Sequence, residues 1–559
     1  MPAAGPHGPR PGGAVSGGAV SGGVRPATVA LGLLLVAALT ACPKVETSTF
    51  TLTIVDAVVD AHVAETTAVS LQVNRSGGFA EPVTVTLAAP PAGMSALDLT
   101  IAGTNADLTL AVADGAALGT AHLDVVATAG TITRIETLTV HVHDVVARPT
   151  GVVVDDGTGG NGRVRQGWGA VTLSVTGTNL GRATAVTLGG IAITQMPGGT
   201  DTSLVLEAAV PHGAAIGAHD LVLDAPGGAT TFPAALVVDP ITAGPSGNDG
   251  TGRGTDDDPF RTLTYALSIA EAGDTVRLHA GEYATTAGEQ WPQLTGGTLD
   301  PGPNVPDGVT VVGAGTGATV LQGPAAPTTA VALAFDGDGG ASLLTVSGFA
   351  VGIHVTLGQV GVEEAALGGN DVGLFASGGS VTSMLSTYIG NRVGMVLQGG
   401  AEASVEGGAS NGNAEDGVQV GEGTPTLTAV GFATSANLGN GVAATGFAEV
   451  ALTDHRSSGN GMHGLEATDA AVEIRSSRLD GNGTDGTGSA GIWSTGGSLL
   501  LRATQIDGNA DFGIYVQGEP TRVDLGSFTE TGNNDVFGNG PNGSGDQLLD
   551  VRPARIQPG

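Results

Sequence analysis

An asparagine recurs through the second half of the chain at Asn370, Asn391, Asn413, Asn440, Asn460, Asn482, Asn509 and Asn533, at intervals of 21, 22, 27, 20, 22, 27 and 24 residues. It belongs to a turn-like Gly-Asn, as in "IDGNADFGIYV" from Ile506 to Val516. A second glycine follows before an apolar residue, as in Gly394-Met395, Gly464-Leu465 and Gly513-Ile514. Apolar residues alternate ahead of the asparagine, for example Val472 and Ile474, then Leu499 and Leu501. Self-similarity at a period near 22 residues restricts the fold to a solenoid, in which each repeat is one coil laid on the last.

Leucine-rich repeats have a comparable period, but their spaced leucines and helical side are missing here. Alternating apolar residues between glycine turns point instead to a parallel β-helix, with short strands stacking at about 4.8 Å per coil. The chain holds 95 glycines without a three-residue period, and only 3% of it is aromatic, which fits turns between many short strands. Each repeating asparagine is expected to turn a corner in left-handed geometry while its amide bonds its equivalents above and below. Before Asn370, "GVTVVGAGTGATVLQG" and "ASLLTVSGFAVGIHV" fit the same stack.

The N-terminal half reads differently. Residues 49–146 contain short alternating strands such as "FTLTIV" and "VTVTL" separated by Gly, Asn and Pro turns, the pattern of an antiparallel sandwich. The stretch "RSGGFAEPVTVTLAAPPAGMSA" resembles bacterial immunoglobulin-like modules. In residues 147–241, "GAVTLSVTGTNLGRATAVTLGG" and "VPHGAAIGAHDLVLDAPGG" resemble the immunoglobulin-like domain of the IPT/TIG type. Residues 242–255 are rich in Gly and read as a linker, and the β-helix is placed at 256–559. It opens with "DPFRTLTYALSIAEAGDTVRLHAGEY", where Leu263, Ala266, Leu267 and Ala270 fall at helical spacing and Gly273 is expected to stop the helix. This stretch resembles the start of a bacterial family of unknown function that begins pectin-lyase-like right-handed β-helices. The expected fold is therefore all-β: two immunoglobulin-like β-sandwiches, then a right-handed parallel β-helix with a short N-terminal capping helix.

Residues 1–41 read as a signal peptide with the apolar run "ATVALGLLLVAAL", and 42–48 as a tether. Leu39-Thr40-Ala41-Cys42 resembles the bacterial lipoprotein lipobox, and Cys42 is the single cysteine. The resemblance implies lipidation of Cys42, export, and a partner in the membrane reached through the N-terminal lipid, at the outer membrane or cell surface. With 53 acidic residues against 20 basic ones, the net charge of -33 opposes nucleic-acid binding. An extracellular polysaccharide or surface protein is the expected partner class.

The fold does not choose the chemistry. Polysaccharide lyases and glycoside hydrolases share the pectin-lyase-like architecture, but a hydrolase needs paired carboxylates, and the polygalacturonase signatures are missing from the coils. His463 sits in "GMHGLE", and the pectate-lyase signature finds only "LTDH", Leu452 to His455. No catalytic residue is assigned. A binding or structural role is the expectation, with a lyase or hydrolase and a passive spacer as alternatives. Register arithmetic collects Asp454, His455, Arg456, Arg475, Arg478, Asp480, Arg502 and Asp507 on one face, a candidate ligand face where guanidiniums would grip an anionic or hydroxyl-rich glycan, although an Arg/Asp ladder that neutralises itself is the favoured expectation. No cofactor is assigned beyond Ca2+, for which the run Asp256, Asp257, Asp258 is the candidate site.

Overall fold

The computed structural model describes residues 47–157, 161–295, 298–299, 304–324, 328–486, 488–518, 522–526, 532–540, 549–551 and 555–557. Cys42 and the leader lie outside the described residues. The chain divides into two compact units, Met1–His141 and Val142–Gly559.

The first unit is an antiparallel sandwich. One sheet orders Thr49–Ile54, Thr66–Ser76, Asn105–Val112 and Met94–Ala96; the other orders Val58–His62, Ile132–His143, Gly119–Ala129, Val83–Ala88 and Leu99–Ile101. The two-residue alternation of strand side chains decides which residues enter the core. Phe50, Leu52 and Ile54 are buried while Thr51 and Thr53 are exposed, and Val69, Leu71 and Val73 repeat the pattern.

The second unit starts with another sandwich, whose strands Gly169–Thr178 and Ser203–Val210 face Gly228–Asp239 and Gly217–Ala225 across a shared core that includes Leu173, Leu206, Leu221 and Leu236. Strand Gly228–Asp239 is followed at once by Ile241–Ala243, the first strand of a 13-stranded parallel sheet. The segment read as a linker is thus packed. Thr242 and Thr255 are buried, and Thr242 donates its N–H to Gly254 and accepts from Phe260. Its glycines serve close approach rather than looseness: a Cβ at Gly247 would press into the carbonyls of Pro259 and Phe260.

From there the chain coils through three parallel sheets, of 13, 11 and 10 strands among the described residues, called here sheets one, two and three. One coil shows the path. Ala471–Arg475 lies in sheet one, Arg478–Asp480 in sheet two and Ala490–Thr495 in sheet three, and Ser498–Arg502 returns to sheet one. The first corner joins sheets one and two, the second corner sheets two and three, and the third corner closes the coil. Inward residues stack in register, as in Val450, Val472 and Leu499, or Leu452, Ile474 and Leu501.

The one α-helix among the described residues, Leu263–Ile269, buries Leu263, Ala266 and Leu267 against the same core as Ile241, Val276 and Leu278. Its N-cap Thr262 accepts the Tyr265 N–H at 3.1 Å, and the buried Glu289 carboxylate accepts the Leu263 and Thr264 N–H groups at 2.8 and 3.0 Å. These bonds satisfy donors that a helix start leaves orphaned. The helix ends at Ile269, and Gly273, with φ 89°, turns the loop after it rather than capping it.

The second sandwich grips this first coil. Gln166 donates to the Ala214 carbonyl at 2.8 Å and accepts the Thr275 N–H at 2.8 Å, and His212 Nδ1 lies 2.6 Å from the buried Asp274 carboxylate.

Candidate functional site

The repeating asparagines stand at the second corner. Asn370, Asn391, Asn413, Asn460, Asn482 and Asn509 form a ladder, joined by Asn437 and Asn539, and all eight are at most 4% exposed. The backbone N–H of each donates to Oδ1 of the asparagine one coil on, at 2.9–3.2 Å from Asn370 to Asn539. Nδ2 reaches the carbonyl of a sheet-two strand one coil back, as from Asn460 to Thr434 at 3.2 Å. An amide has a donor and an acceptor on one short stem, so stacked copies satisfy one another and the corner backbone together.

Two expected rungs are displaced. Asn440 lies three residues past the true rung Asn437 and belongs to another column, where its N–H donates to Asp416 and its Oδ1 accepts the His463 N–H at 3.0 Å. Asn533 turns the first corner, exposed, with φ 49°. The asparagines of the ladder do not take left-handed geometry; the residue before each does. That residue is Gly369, Gly390, Gly412, Gly459, Gly481, Gly508 or Gly538, all at φ of 62–71°, and Ala436 at φ 53°. The Gly-Asn signature therefore pointed at Asn440, because the true rung follows an alanine. Register would have found it: with Asn437 the intervals 27 and 20 become 24 and 23.

The candidate ligand face is split across the first corner. Arg475 and Arg502 end strands of sheet one, while Arg456 and Arg478 begin strands of sheet two. Each has a carboxylate partner. Arg456 meets Asp480 at 3.3 Å, Arg478 meets Asp507 at 3.0 Å, Arg502 meets Asp524 at 3.0 Å, and Arg475 pairs with Glu473. Asp454 is exposed at the corner, at φ 49°. His455 is not on this face. It points into the coil, 2% exposed, with Nε2 3.2 Å from Thr434 Oγ1, and burial drives its pKa down to about 4. The left-handed residue before it shifts the alternation, so the residue after the corner faces inward. Leu452 is also buried, which leaves the short lyase-like match inside the core.

The acidic run does not converge. Asp256 faces His279 Nε2 at 3.0 Å and Arg277 at 3.7 Å, Asp257 accepts from Thr255 and Asn161, and the Asp258 backbone carbonyl accepts from Arg253 and Gly254. The hydrogen bond from His279 holds the Asp256 carboxyl below its ordinary range. Among the described residues, no group of three or more His, Cys, Asp or Glu could hold a metal ion.

A groove that sequence reasoning missed runs over the outer face of sheet one. Outward positions there stack as Thr426, Glu449, Ala471 and Ser498, and beside them as Thr428, Ala451, Glu473 and Leu500. Small side chains leave a hollow of about 310 Å³ lined by Thr426, Thr428, Glu449, Ala451, Glu473 and Ser498, among others. An adjoining hollow of about 440 Å³ shares Thr426, Glu449, Ala471 and Ser498 and adds Asp469 and Phe447, the latter 79% exposed at the third corner. The signal in the sequence is a run of small outward residues, visible only once the register is known. Hydroxyls that donate and accept, a carboxylate acceptor and a ring face at the rim are the groups that recognise polyols.

Residues 245–348 match a family described as a protein of unknown function (DUF1565). No curated protein matches the chain. Solved structures similar to it include the A-module of the mannuronan C-5 epimerase AlgE6 of Azotobacter vinelandii, at 15% identity over 51% of this chain and 91% of that one, with a TM-score of 0.31. The periplasmic alginate epimerase AlgG is similar at 10% identity over 45% of this chain and 74% of that one, with a TM-score of 0.32. The titin domains Z1Z2 are similar at 18% identity over 35% of this chain and 98% of that one, with a TM-score of 0.20. Likeness at these scores reaches neither substrate nor chemistry. The matched segment holds the helix Leu263–Ile269 and the first coils of the parallel β-helix.

Proposed function

We propose that this chain is an exported, lipid-anchored envelope protein that binds a neutral, hydroxyl-rich extracellular glycan along the outer face of sheet one. The groove over Thr426, Glu449, Ala471 and Ser498 carries this reading. Its four coils span three steps of about 4.8 Å, roughly 14 Å, which suits about three sugar rings laid along the axis. A net charge of -33, with Glu449 exposed in the groove, disfavours a polyanion. The arginines that would grip an anionic chain are already matched by Asp480, Asp507, Asp524 and Glu473. Lipidation at Cys42 rests on the lipobox resemblance. The two sandwiches, the second read as IPT/TIG-type, serve as spacers. A binding role is favoured over cleavage because Leu452 and His455, the lyase-like match, are engaged in the coil interior.

The test combines fatty-acid labelling with glycan binding. Cys42→Ser should abolish label incorporation, and persistence of the label would refute the anchor. Immobilised neutral glucans should retain the wild-type protein, and Glu449→Gln with Phe447→Ala should weaken retention about tenfold, a loss near 1.4 kcal/mol. Equal retention of the variant, or release of reducing or unsaturated sugars by the wild type, would overturn the reading.

A further inference from the structure

The outer face of sheet three changes character along its length. Over its first coils Val331, Val351, Val372 and Val393 are outward yet buried, and Leu294 of the segment before them packs on this cluster. The same column continues as Asp416, Asn440, His463, Ala490 and Phe512, and the neighbouring one as Gln419, Ala443, Glu466, Trp493 and Tyr515.

Here the groups hold one another in place. Asn440 donates to Glu466 Oε2 at 2.8 Å and accepts the His463 N–H at 3.0 Å, while His463 Nδ1 accepts the Ala490 N–H at 3.0 Å. That last bond fixes the tautomer: with Nδ1 as acceptor, the ring proton of neutral His463 is on Nε2. The imidazole stacks on Trp493 at 5.0 Å, and Trp493 on Tyr515 at 3.8 Å. Burial keeps His463 neutral, with its pKa lowered to about 4, and raises that of Glu466. Among the described residues, Glu466 Oε1, His463 Nε2 and Trp493 Nε1 have no hydrogen-bond partner, and none of the three is sealed from solvent.

We propose that these atoms form a second binding site, on sheet three, for a single neutral sugar ring. One acceptor, Glu466 Oε1, accepts a hydrogen bond from a sugar hydroxyl. Two donors, His463 Nε2–H and Trp493 Nε1–H, meet hydroxyl oxygens, and the outer edge of the aromatic stack borders the sugar ring. A polyol needs donor and acceptor side by side, and an ordered stack supplies them with little loss of side-chain freedom on binding. This site uses none of the residues of the sheet-one groove and stands whether or not that groove binds glycan.

The test titrates the full chain with three neutral probes, cellohexaose, maltohexaose and laminarihexaose, by calorimetry and tryptophan emission. Of the three tryptophans in the chain, Trp291 is buried, and Trp168 packs under Arg165 and Arg253. At least one probe should shift the emission of the wild type, and Trp493→Phe should abolish that shift. Glu466→Gln, which keeps an oxygen for Asn440, should weaken binding about tenfold at an unchanged unfolding midpoint, and Trp493→Phe should weaken it several-fold by calorimetry. Glu449→Gln on sheet one should leave the emission titration as it is. A wild type that responds to no probe, a shift that survives in Trp493→Phe, or wild-type affinity in Glu466→Gln would each overturn the site.

Discussion

At the second corner eight asparagines from Asn370 to Asn539 repeat one hydrogen-bond pattern, whereas the first corner fills its inward position with Ser386, Gly408, Phe432, His455, Ser477, Thr504 and Asn534. The difference lies in what the backbone needs. At both corners the left-handed residue donates its own N–H to a carbonyl of the next coil, as Asp454 does to Arg475 at 3.1 Å and Gly459 to Asp480 at 3.1 Å. Its side chain is free, so Leu343, Glu364, Leu385, Ser476 and Ala503 all serve at positive φ. At the second corner the following residue, the asparagine, bonds Oδ1 of the next coil through its N–H from Asn370 to Asn539. At the first corner such bonds are intermittent and use different side chains, as His455 N–H to Ser477 Oγ and Thr504 N–H to Asn534 Oδ1; residue identity is thereby constrained at the second. A corner whose side-chain bonds are intermittent accepts many sequences; one whose ladder repeats the same bond on successive coils accepts few.

The largest effect expected from this contrast is at Asn460. Asn460→Ala removes the donor to Thr434, Ser457 and Asn482 and the acceptor for two bonds from Asn437. Stranding two or more buried groups at about 1–3 kcal/mol each should lower stability by roughly 3 kcal/mol or more. Ser477→Ala, which loses the bonds to Arg475 and His455 at the first corner, should cost about 1 kcal/mol. Urea unfolding of the full chain compares them, and equal losses would erase the distinction between the corners.

A second expectation concerns acid. His455 has a folded pKa near 4 against about 6.5 unfolded, so the unfolded chain binds the extra proton between those values. Its neutral form is fully stabilising above pH 6.5, and that contribution shrinks as pH falls toward 4, by up to about 3 kcal/mol. His455→Asn should flatten the difference in unfolding midpoint between pH 7 and pH 4.5. An unchanged slope would show that the first-corner imidazole does not govern acid stability.

The smallest effect sharpens the second corner itself. Ala436 is the one ladder-preceding residue at positive φ that is not glycine, so Ala436→Gly relieves left-handed strain of about 1–2 kcal/mol but adds chain entropy to the unfolded state. A net gain of roughly 0.5 kcal/mol is expected in the unfolding midpoint, and a loss would mean the position is not strained.

Much of the candidate chemistry was hidden for related reasons. Arg456, Arg475, Arg478 and Arg502 were legible as a register pattern together with Asp480 and Asp507, but the partners Asp524 of Arg502 and Glu473 of Arg475 fell outside it. The direction of His455 depends on φ at Asp454, which in a non-glycine residue leaves no compositional trace. The groove of sheet one and the Glu466–Trp493 patch draw on residues from four or five coils, so each exists only after the coils are stacked. The capping helix, by contrast, was readable because its determinants are local: Leu263, Ala266 and Leu267 fall at helical spacing within one short stretch.

By itself the sequence determined that the chain stacks coils of about 22 residues, that short strands alternate inward and outward residues, and that a short amphipathic helix precedes the stack. These follow from local periodicity, which every folded arrangement of such a chain must satisfy. Tertiary structure alone decided that Asn539 is a rung while Asn533 is not, that Ile241–Ala243 belongs to the first sheet, and which carboxylates Arg475 and Arg502 meet. Register between coils is set by hydrogen bonds accumulated along the axis, and corner loops of unequal length shift the sequence spacing without shifting the stack.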